Sequence, residues 1–145
     1  MGEYIPATVQ FGGKVKRSLI PTLIELLERY DMRAEGDEEA EPTPENITEK
    51  FRGDQINYGQ IEDITTFCQS HNIDYEHWAD GANGGDPYIV RWIDGKEEML
   101  GYSDGEIMIP LARVLEIETL ITGMADLIAL ARRWAKPLEM EIVDG

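Results

Sequence analysis

The sequence predicts an α+β fold, a two-layer domain in which an antiparallel sheet of about four to six strands carries helices mainly on one face. Strand-like segments are grouped between helical segments, which favours this class over a parallel α/β sheet. The dipeptide Asp94-Gly95 lies between two β-rich segments and is typical of a hairpin turn. The length of 145 residues is ordinary for one domain, so we assign residues 1–145 to a single domain.

A strand and a helix are predicted first along the chain. Residues 4–11 alternate between apolar and polar side chains and are β-rich, which indicates a strand that Gly12-Gly13 ends. Ser18 can cap the helix that follows. The apolar face of this helix, at helical spacing, consists of Leu19, Ile20, Leu23, Ile24, Leu27 and Tyr30.

An acidic segment comes next. Residues 33–43 carry few side chains that could be buried, and we expect them to form a mobile acidic loop. Thr43 followed by a proline and a glutamate is a good helix start. The sequence therefore predicts a short helix that carries Ile47 and Phe51 and stops at Gly53.

The middle of the chain predicts a helix and then a strand meander. The helix spans residues 59–71, and Asn72 is a plausible left-handed cap at its end. Strands are predicted over residues 73–78, 88–93 and 99–102, the last two joined by the hairpin turn. Both side-chain parities of the second strand contain apolar residues, so the sequence does not decide which face of the sheet is buried.

The last part of the chain predicts one more strand, two helices and a final strand. Residues 106–109 form the strand, and Pro110 can open the first helix. Gly123 divides this helix from a second one, which Pro137 ends. Residues 138–142 alternate between apolar and acidic side chains, as a strand with one exposed face does.

The net charge of −16 is distributed unevenly. Residues 1–30 are slightly basic, residues 31–50 hold eight acids and two bases, and residues 54–106 hold twelve acids and two bases. Such a surface repels phosphates, so direct binding of nucleic acid is not expected. It suits a basic protein partner, including one that itself binds nucleic acid.

We predict an acidic partner-binding face on the central sheet and its flanking helix. Its carboxylates are Glu62, Asp63, Asp74, Glu76, Asp80, Asp86, Asp94, Glu97 and Glu98. Ordinary solubility explains the same charges without any partner.

A small basic group is the best candidate for anion binding. Lys14, Lys16 and Arg17 lie just before the predicted N-terminus of the first helix, where backbone N–H groups favour an anion. A solvated turn is the more frequent explanation, because isolated basic triplets are common on protein surfaces.

Weak metal-ligand candidates lie in the middle of the chain. Cys68 and His71 are three residues apart on one helix, His77 lies in the next strand, and Asp74 or Asp80 could complete the set. Cys68 continues the apolar helix face, however, and His71 suits a helix C-terminus. We therefore expect no metal, no cofactor and no catalytic residue, and we keep a small metal- or ligand-binding enzyme as an alternative.

The compartment is predicted from several negative features. Cys68 is the single cysteine, which excludes an intramolecular disulfide and fits a reducing compartment. The first residues lack the basic and apolar regions of a signal peptide, and the apolar stretch 120–134 is too short and too charged for a bilayer. We expect a cytoplasmic protein without membrane attachment.

A resemblance is carried by residues 58–80, YGQIEDITTFCQSHNIDYEHWAD. This segment resembles small acidic uncharacterised proteins of bacterial plasmids, phages and integrative elements. In those proteins a helix of the form G-x-ϕ-x-x-ϕ-x-x-F, with ϕ apolar, precedes an H-x-I-x-ϕ turn into a strand. Gly12-Gly13 and Arg17-Ser18-Leu19 are also similar to that group. The resemblance implies mobile-element cargo, which often includes acidic inhibitors of host defence nucleases such as anti-restriction and anti-CRISPR proteins.

Charge and resemblance together favour a non-enzymatic, acidic protein-binding domain. A nucleic-acid mimic or inhibitor of a host nucleic-acid-handling or defence protein is its most specific form. The alternatives are a small enzyme that uses the region of His71, His77 and Asp80, and an accessory structural subunit without mimicry. The sequence leaves the enzyme question open and is also compatible with a homo-oligomer.

Overall fold

The computed structural model describes residues 4–35, 40–57, 59–80, 87–103, 106–109, 111–118 and 123–144. The strands are β1 (Tyr4–Lys16), β2 (Arg33–Ala34), β3 (Phe51–Asn57), β4 (Asp74–Ala79), β5 (Tyr88–Ile93), β6 (Lys96–Ser103), β7 (Glu106–Met108) and β8 (Met140–Val143). The helices are α1 (Ile20–Arg29), which follows a 3-10 turn, α2 (Glu62–Ser70), α3 (Leu111–Glu118) and α4 (Gly123–Ala135).

The strands form one open sheet, and the α+β class with an antiparallel sheet is confirmed. Across the described ranges the order is β2-β3-β1-β4-β5-β6-β7, with every neighbouring pair antiparallel. β8 joins from outside this path and pairs with β1 in parallel. The sheet therefore has more strands than the four to six expected from the sequence.

β1 bends at its two glycines and continues past them. Residues before the bend pair with β3 and β4, and residues 13–16 pair with β8. Gly13 has a φ of 76° and donates its N–H to the carbonyl of Glu139 at 2.8 Å. The expectation that Gly12-Gly13 ends the strand was wrong, because a left-handed glycine redirects the backbone toward a new partner.

The main core lies between α1, α2 and one face of the sheet. The inward side chains of β1 include Ala7, Val9 and Phe11, all fully buried. α1 and α2 contribute apolar residues at the spacing that the sequence predicts, among them Leu23, Leu27, Ile64 and Cys68. This face of the sheet is therefore closed over β1, β3 and β4.

A second, smaller core lies on the opposite face. Ile89 of β5 and Leu100 of β6 pack against Leu130 and Trp134 of α4. Trp92 of β5 belongs to the main core instead. Apolar residues on both faces of β5 are buried, which requires a helix on each side of the sheet. α4 covers the second face.

Residues 43–50 form turns rather than the expected short helix. Thr43 N–H donates to the Asn46 side-chain oxygen at 2.8 Å, and the Asn46 amide donates to the Glu41 carbonyl at 2.9 Å. These local hydrogen bonds compete with a helix, and Phe51 begins β3 beside β1. Ile47 is nevertheless buried and packs the turns against the main core.

The expected acidic loop is described only at its two sides. Ala34 donates its N–H to the Ala40 carbonyl at 2.8 Å, which closes the segment at its base, and residues 36–39 lie outside the described ranges. The hairpin turn matches its prediction, since Asp94 and Gly95 have φ of 53° and 78°. None of the described helices is long and apolar enough to cross a membrane.

The bend in β1 supplies a first prediction. A methyl group at Gly12 would lie 2.5 Å from Leu138 Cγ and 3.1 Å from the Glu139 carbonyl oxygen. We expect Gly12→Ala to lower the free energy of unfolding by about 1–3 kcal/mol, measured by urea denaturation, because Leu138 must move away from the strand.

Gly101→Ala is the matched control, because this strand glycine would make only an ordinary contact of 3.6 Å with Met108. Its free energy of unfolding should stay within about 0.5 kcal/mol of the parent value. Equal effects of the two substitutions would contradict the role given to close packing at Gly12.

Candidate functional site

The carboxylate of Glu98 joins the sheet to both C-terminal helices. Arg113 of α3 donates to it at 2.8 Å and Arg133 of α4 at 2.9 Å. The indole N–H of Trp134 donates to the second carboxylate oxygen. The Glu98 side chain is 20% exposed, so these charge-assisted bonds are partly shielded from water. One acid on β6 thus holds α3 and α4 in place.

Arg91 forms the second half of this network. Its guanidinium is buried, donates to Glu76 at 2.6 Å and donates to the Arg133 carbonyl at 2.7 Å. It also lies 5.1 Å from the centre of the Trp134 ring, within cation–π range. The buried arginine is therefore compensated by a carboxylate, a carbonyl and an aromatic ring.

A cavity of about 490 Å³ opens beside this network. Its described lining residues are Ile93, Trp134 and six charged residues, three basic and three acidic: Arg91, Lys96, Arg133, Asp94, Glu97 and Glu98. The opposite charges balance in number. The residues around the cavity therefore do not share the negative net charge of the chain.

Two opposing effects set the ionisation of Glu98. Partial burial raises the pKa of its carboxyl, while the hydrogen bonds from Trp134, Arg133 and Arg113 lower it. The lowering prevails, so the pKa of Glu98 lies below its ordinary value. The carboxylate consequently stays ionised and structural at neutral pH.

The predicted acidic face does not form one continuous surface. Glu76 and Glu98 point to the α4 side of the sheet and are engaged by arginines. Glu97, the neighbour of Glu98 in β6, lies on the opposite side and is exposed. These three carboxylates therefore cannot all face one partner surface.

The other members of that face are distributed over separate places. Glu62 and Asp63 lie in the first turn of α2, where Asp63 accepts a hydrogen bond from Arg29 at 3.0 Å. Asp74 accepts the N–H of Asp94 at 3.1 Å, and partial burial raises the pKa of the Asp74 carboxyl. Asp80 is half-buried after β4.

Asp86, the remaining member of the predicted face, lies outside the described residues. The same holds for the glycine-rich segment around it.

A different set of acids does meet around one depression, which we call the acidic pocket: Glu28, Asp31 and Glu41, with Met32, Arg33 and Pro42. Its volume is about 280 Å³, and its three carboxyl side chains are exposed. Arg33 lies 4.0 Å from Asp31 and is the one cation among the lining residues. Among the described residues, three acidic ones and one arginine thus line a small concave surface.

Backbone geometry brings these three acids together. Asp31 has a φ of 51° and donates its N–H to the Glu28 carbonyl at 3.0 Å, which closes the end of α1. The Ala34–Ala40 pairing brings Glu41 close to the end of α1. Sequence spacing gave no signal for this, since Glu41 is ten positions beyond Asp31 and approaches only through the folded segment.

The predicted anion-binding residues lie beside acids of the last strand. Lys14 is exposed in β1 and faces Glu141 of β8 in the strand register. Arg17 lies 3.6 Å from the Asp144 carboxylate. Lys16 is exposed opposite Val143. The neighbouring carboxylates offset much of the attraction that these cations would exert on an anion.

The metal-ligand candidates are not brought into one site. His71 is exposed and its ring lies 4.4 Å from that of Phe67, while Cys68 is buried, which raises the pKa of its thiol. His77 is buried and donates from Nε2 to the Gly59 carbonyl at 2.8 Å. Within the described ranges no three His, Cys, Asp or Glu side chains are grouped as a metal ion would require.

Comparison with protein-family models, with curated proteins and with solved structures gives no match for this chain.

The Glu98 network supplies the second prediction. Glu98→Gln keeps an acceptor for Trp134 but removes the charge that Arg113 and Arg133 share. We expect the free energy of unfolding to fall by about 1–3 kcal/mol at neutral pH, measured by urea denaturation. The neighbouring exposed residue provides the control, and Glu97→Gln should change stability by less than about 0.5 kcal/mol. A smaller loss for Glu98→Gln than for Glu97→Gln would contradict the network.

The third prediction concerns His77. Burial lowers the pKa of this imidazole, while its bond to Gly59 opposes the shift. The folded chain therefore holds the neutral form at pH values where the unfolded chain is already protonated. Stability is complete above the ordinary pKa of 6.5 and falls as the pH drops below it toward the folded pKa.

The measurement is the free energy of unfolding at several pH values between about 7.5 and about 5.5, where the slope approaches at most about 1.4 kcal/mol per pH unit for one proton. His77→Gln should flatten this slope. His71→Gln, at an exposed position, is the control. An unchanged slope in the His77 variant would show that another group titrates.

Proposed function

We propose that this chain is a non-enzymatic, acidic protein-binding domain whose partner presents a basic surface. The acidic pocket is the observation that carries the proposal, because it gathers Glu28, Asp31 and Glu41 around a depression with one arginine. Such a depression suits the head of a lysine or arginine side chain from a partner. A cation there would lie in the negative field of the three acidic lining residues.

The distribution of ion pairs supports the same proposal. Seven arginines of the described ranges already lie within 4.0 Å of a carboxylate: Arg17, Arg29, Arg33, Arg52, Arg91, Arg113 and Arg133. The chain has 29 acids and 13 bases, so most of its negative charge has no internal counterpart. The long-range field then attracts a basic partner before any contact forms.

The most specific form of this function is mimicry of a nucleic acid. Exposed carboxylates would occupy the phosphate-binding groove of a nucleic-acid-handling or defence protein and block it. The resemblance of residues 58–80 to proteins of plasmids, phages and integrative elements favours this form, and so does the repulsion that the charge exerts on nucleic acid itself. A cytoplasmic location follows from such a partner and fits the buried thiol of Cys68.

The fourth prediction tests the acidic pocket. The partner is captured from a lysate of the native host with the tagged full chain and identified by mass spectrometry. Affinity is then measured by titration in about 0.05 M and about 0.5 M salt, and we expect at least about a tenfold loss at the higher concentration. Glu28→Gln, Asp31→Asn and Glu41→Gln combined should weaken binding by at least about tenfold.

A matched variant removes three charges elsewhere: Glu62→Gln, Asp94→Asn and Glu97→Gln. It should weaken binding less, through the overall field alone. Equal losses in the two variants would exclude the pocket as the contact, and binding that is insensitive to salt would exclude the acidic function. Competition by added DNA or RNA is the expected result for mimicry, and a complex that tolerates both would leave an accessory subunit without mimicry.

A further inference from the structure

The two C-terminal helices expose an apolar surface that the proposed function does not use. Four large aliphatic side chains lie on α3 and α4, namely Leu111, Leu115, Met124 and Ile128, with exposed fractions of 73%, 52%, 71% and 44%. They form two pairs, each with a spacing of four residues, so each helix presents a short apolar row. We call these four side chains the α3–α4 apolar patch.

The patch is distinct from the surface by which α4 joins the domain. Leu130 and Trp134 are buried against the sheet, and Arg133 and Arg113 bind Glu98 from the same side. Met124 and Ile128 lie outside that contact and are exposed. The fold therefore keeps α3 and α4, which contact each other, in place without covering the patch. Exposed apolar groups on adjoining helices mark an interaction site more often than scattered ones do.

The charges around the patch point to its occupant. α3 contains one arginine and two glutamates, whereas α4 contains two arginines and one aspartate. The helix pair is therefore neutral, while the remainder of the chain carries the whole net charge of −16. A basic partner would find no complementary local charge here, whereas the helix pairs of two copies would not repel each other at the contact.

The sign of the charge on each helix adds a geometric argument. A two-fold axis places the same patch of one copy against that of the other, so α3 of one copy can face α4 of the second. The slightly negative α3 of each copy then faces the slightly positive α4 of the other copy. Rows with a spacing of four residues also interdigitate in the commonest class of helix packing.

We propose that the chain forms a two-fold symmetric homodimer through the α3–α4 apolar patch. α4 has 13 residues and is about 20 Å long, which makes the shared surface small. The expected dimer is therefore weak, with a dissociation constant in the micromolar range. The sheet edge at β2, α1 and the acidic pocket stay outside this interface, since they belong to other elements.

The fifth prediction tests the dimer by sedimentation equilibrium of the full chain from about 1 μM to about 500 μM. Wild-type protein should change from monomer to dimer over this range. Leu111→Ser combined with Met124→Ser should raise the dissociation constant at least about tenfold, because each change removes a contact twice. Both side chains are more than 70% exposed, so circular dichroism should show an unchanged fold.

Met99→Ser is the control, because this methionine is 59% exposed on the sheet, away from α3 and α4. It should leave the dimer intact. Raised salt should keep or strengthen the dimer, since it screens the repulsion between two acidic chains, whereas it weakens the contact with a basic partner. A monomer at every concentration, or a dimer that Met99→Ser dissociates and the helix variant does not, would overturn the proposal.

Discussion

Strand β1 pairs with three other strands, and the rest of the fold is arranged around these pairings. Its first part pairs with β3 on one side and β4 on the other, so both of its edges are occupied. Its last four residues leave that sheet direction at Gly13 and pair with β8. A strand in this position must be apolar on its helix-facing side, and Val9 and Phe11 are fully buried there.

The electrostatics of the molecule have two separate functions. Near α4, Glu76 and Glu98 are enclosed by arginines and serve the fold. Around the end of α1, Glu28 and Glu41 are exposed and add to the external field. The same residue type is thus structural where arginines surround it and exposed to solvent where they do not. Net charge alone does not separate these two groups, whereas the fold does.

Local patterns predicted local structure well. The apolar faces of α1 and α2 follow the helical period, and Asp94-Gly95 adopts the turn typical of that dipeptide. The pattern around Phe51 predicts a helix, but its strand position depends on pairing with Val9 of β1, which is 42 positions away. Its β-strand environment is a tertiary effect that a short window does not contain.

The candidate site shows the same limit. Glu98 was expected to face a partner, but Arg133, 35 positions away, folds back onto it. Glu28 and Glu41 were not singled out, because only the end of α1 and the Ala34–Ala40 pairing bring them together. Counting charges predicts an excess of carboxylates without saying where they lie in the fold. Which carboxylates remain available depends on long-range arginine contacts that have no signature in residue spacing.

The parallel pairing of β1 with β8 has a kinetic consequence. It joins residues 13–16 to residues 140–143, so the first and last strands of this sheet meet only after nearly the whole intervening chain has been brought into place. Contacts so distant along the sequence carry a large loop-closure entropy and form late in folding. During synthesis the end of β1 would therefore stay unpaired until the last strand has been made.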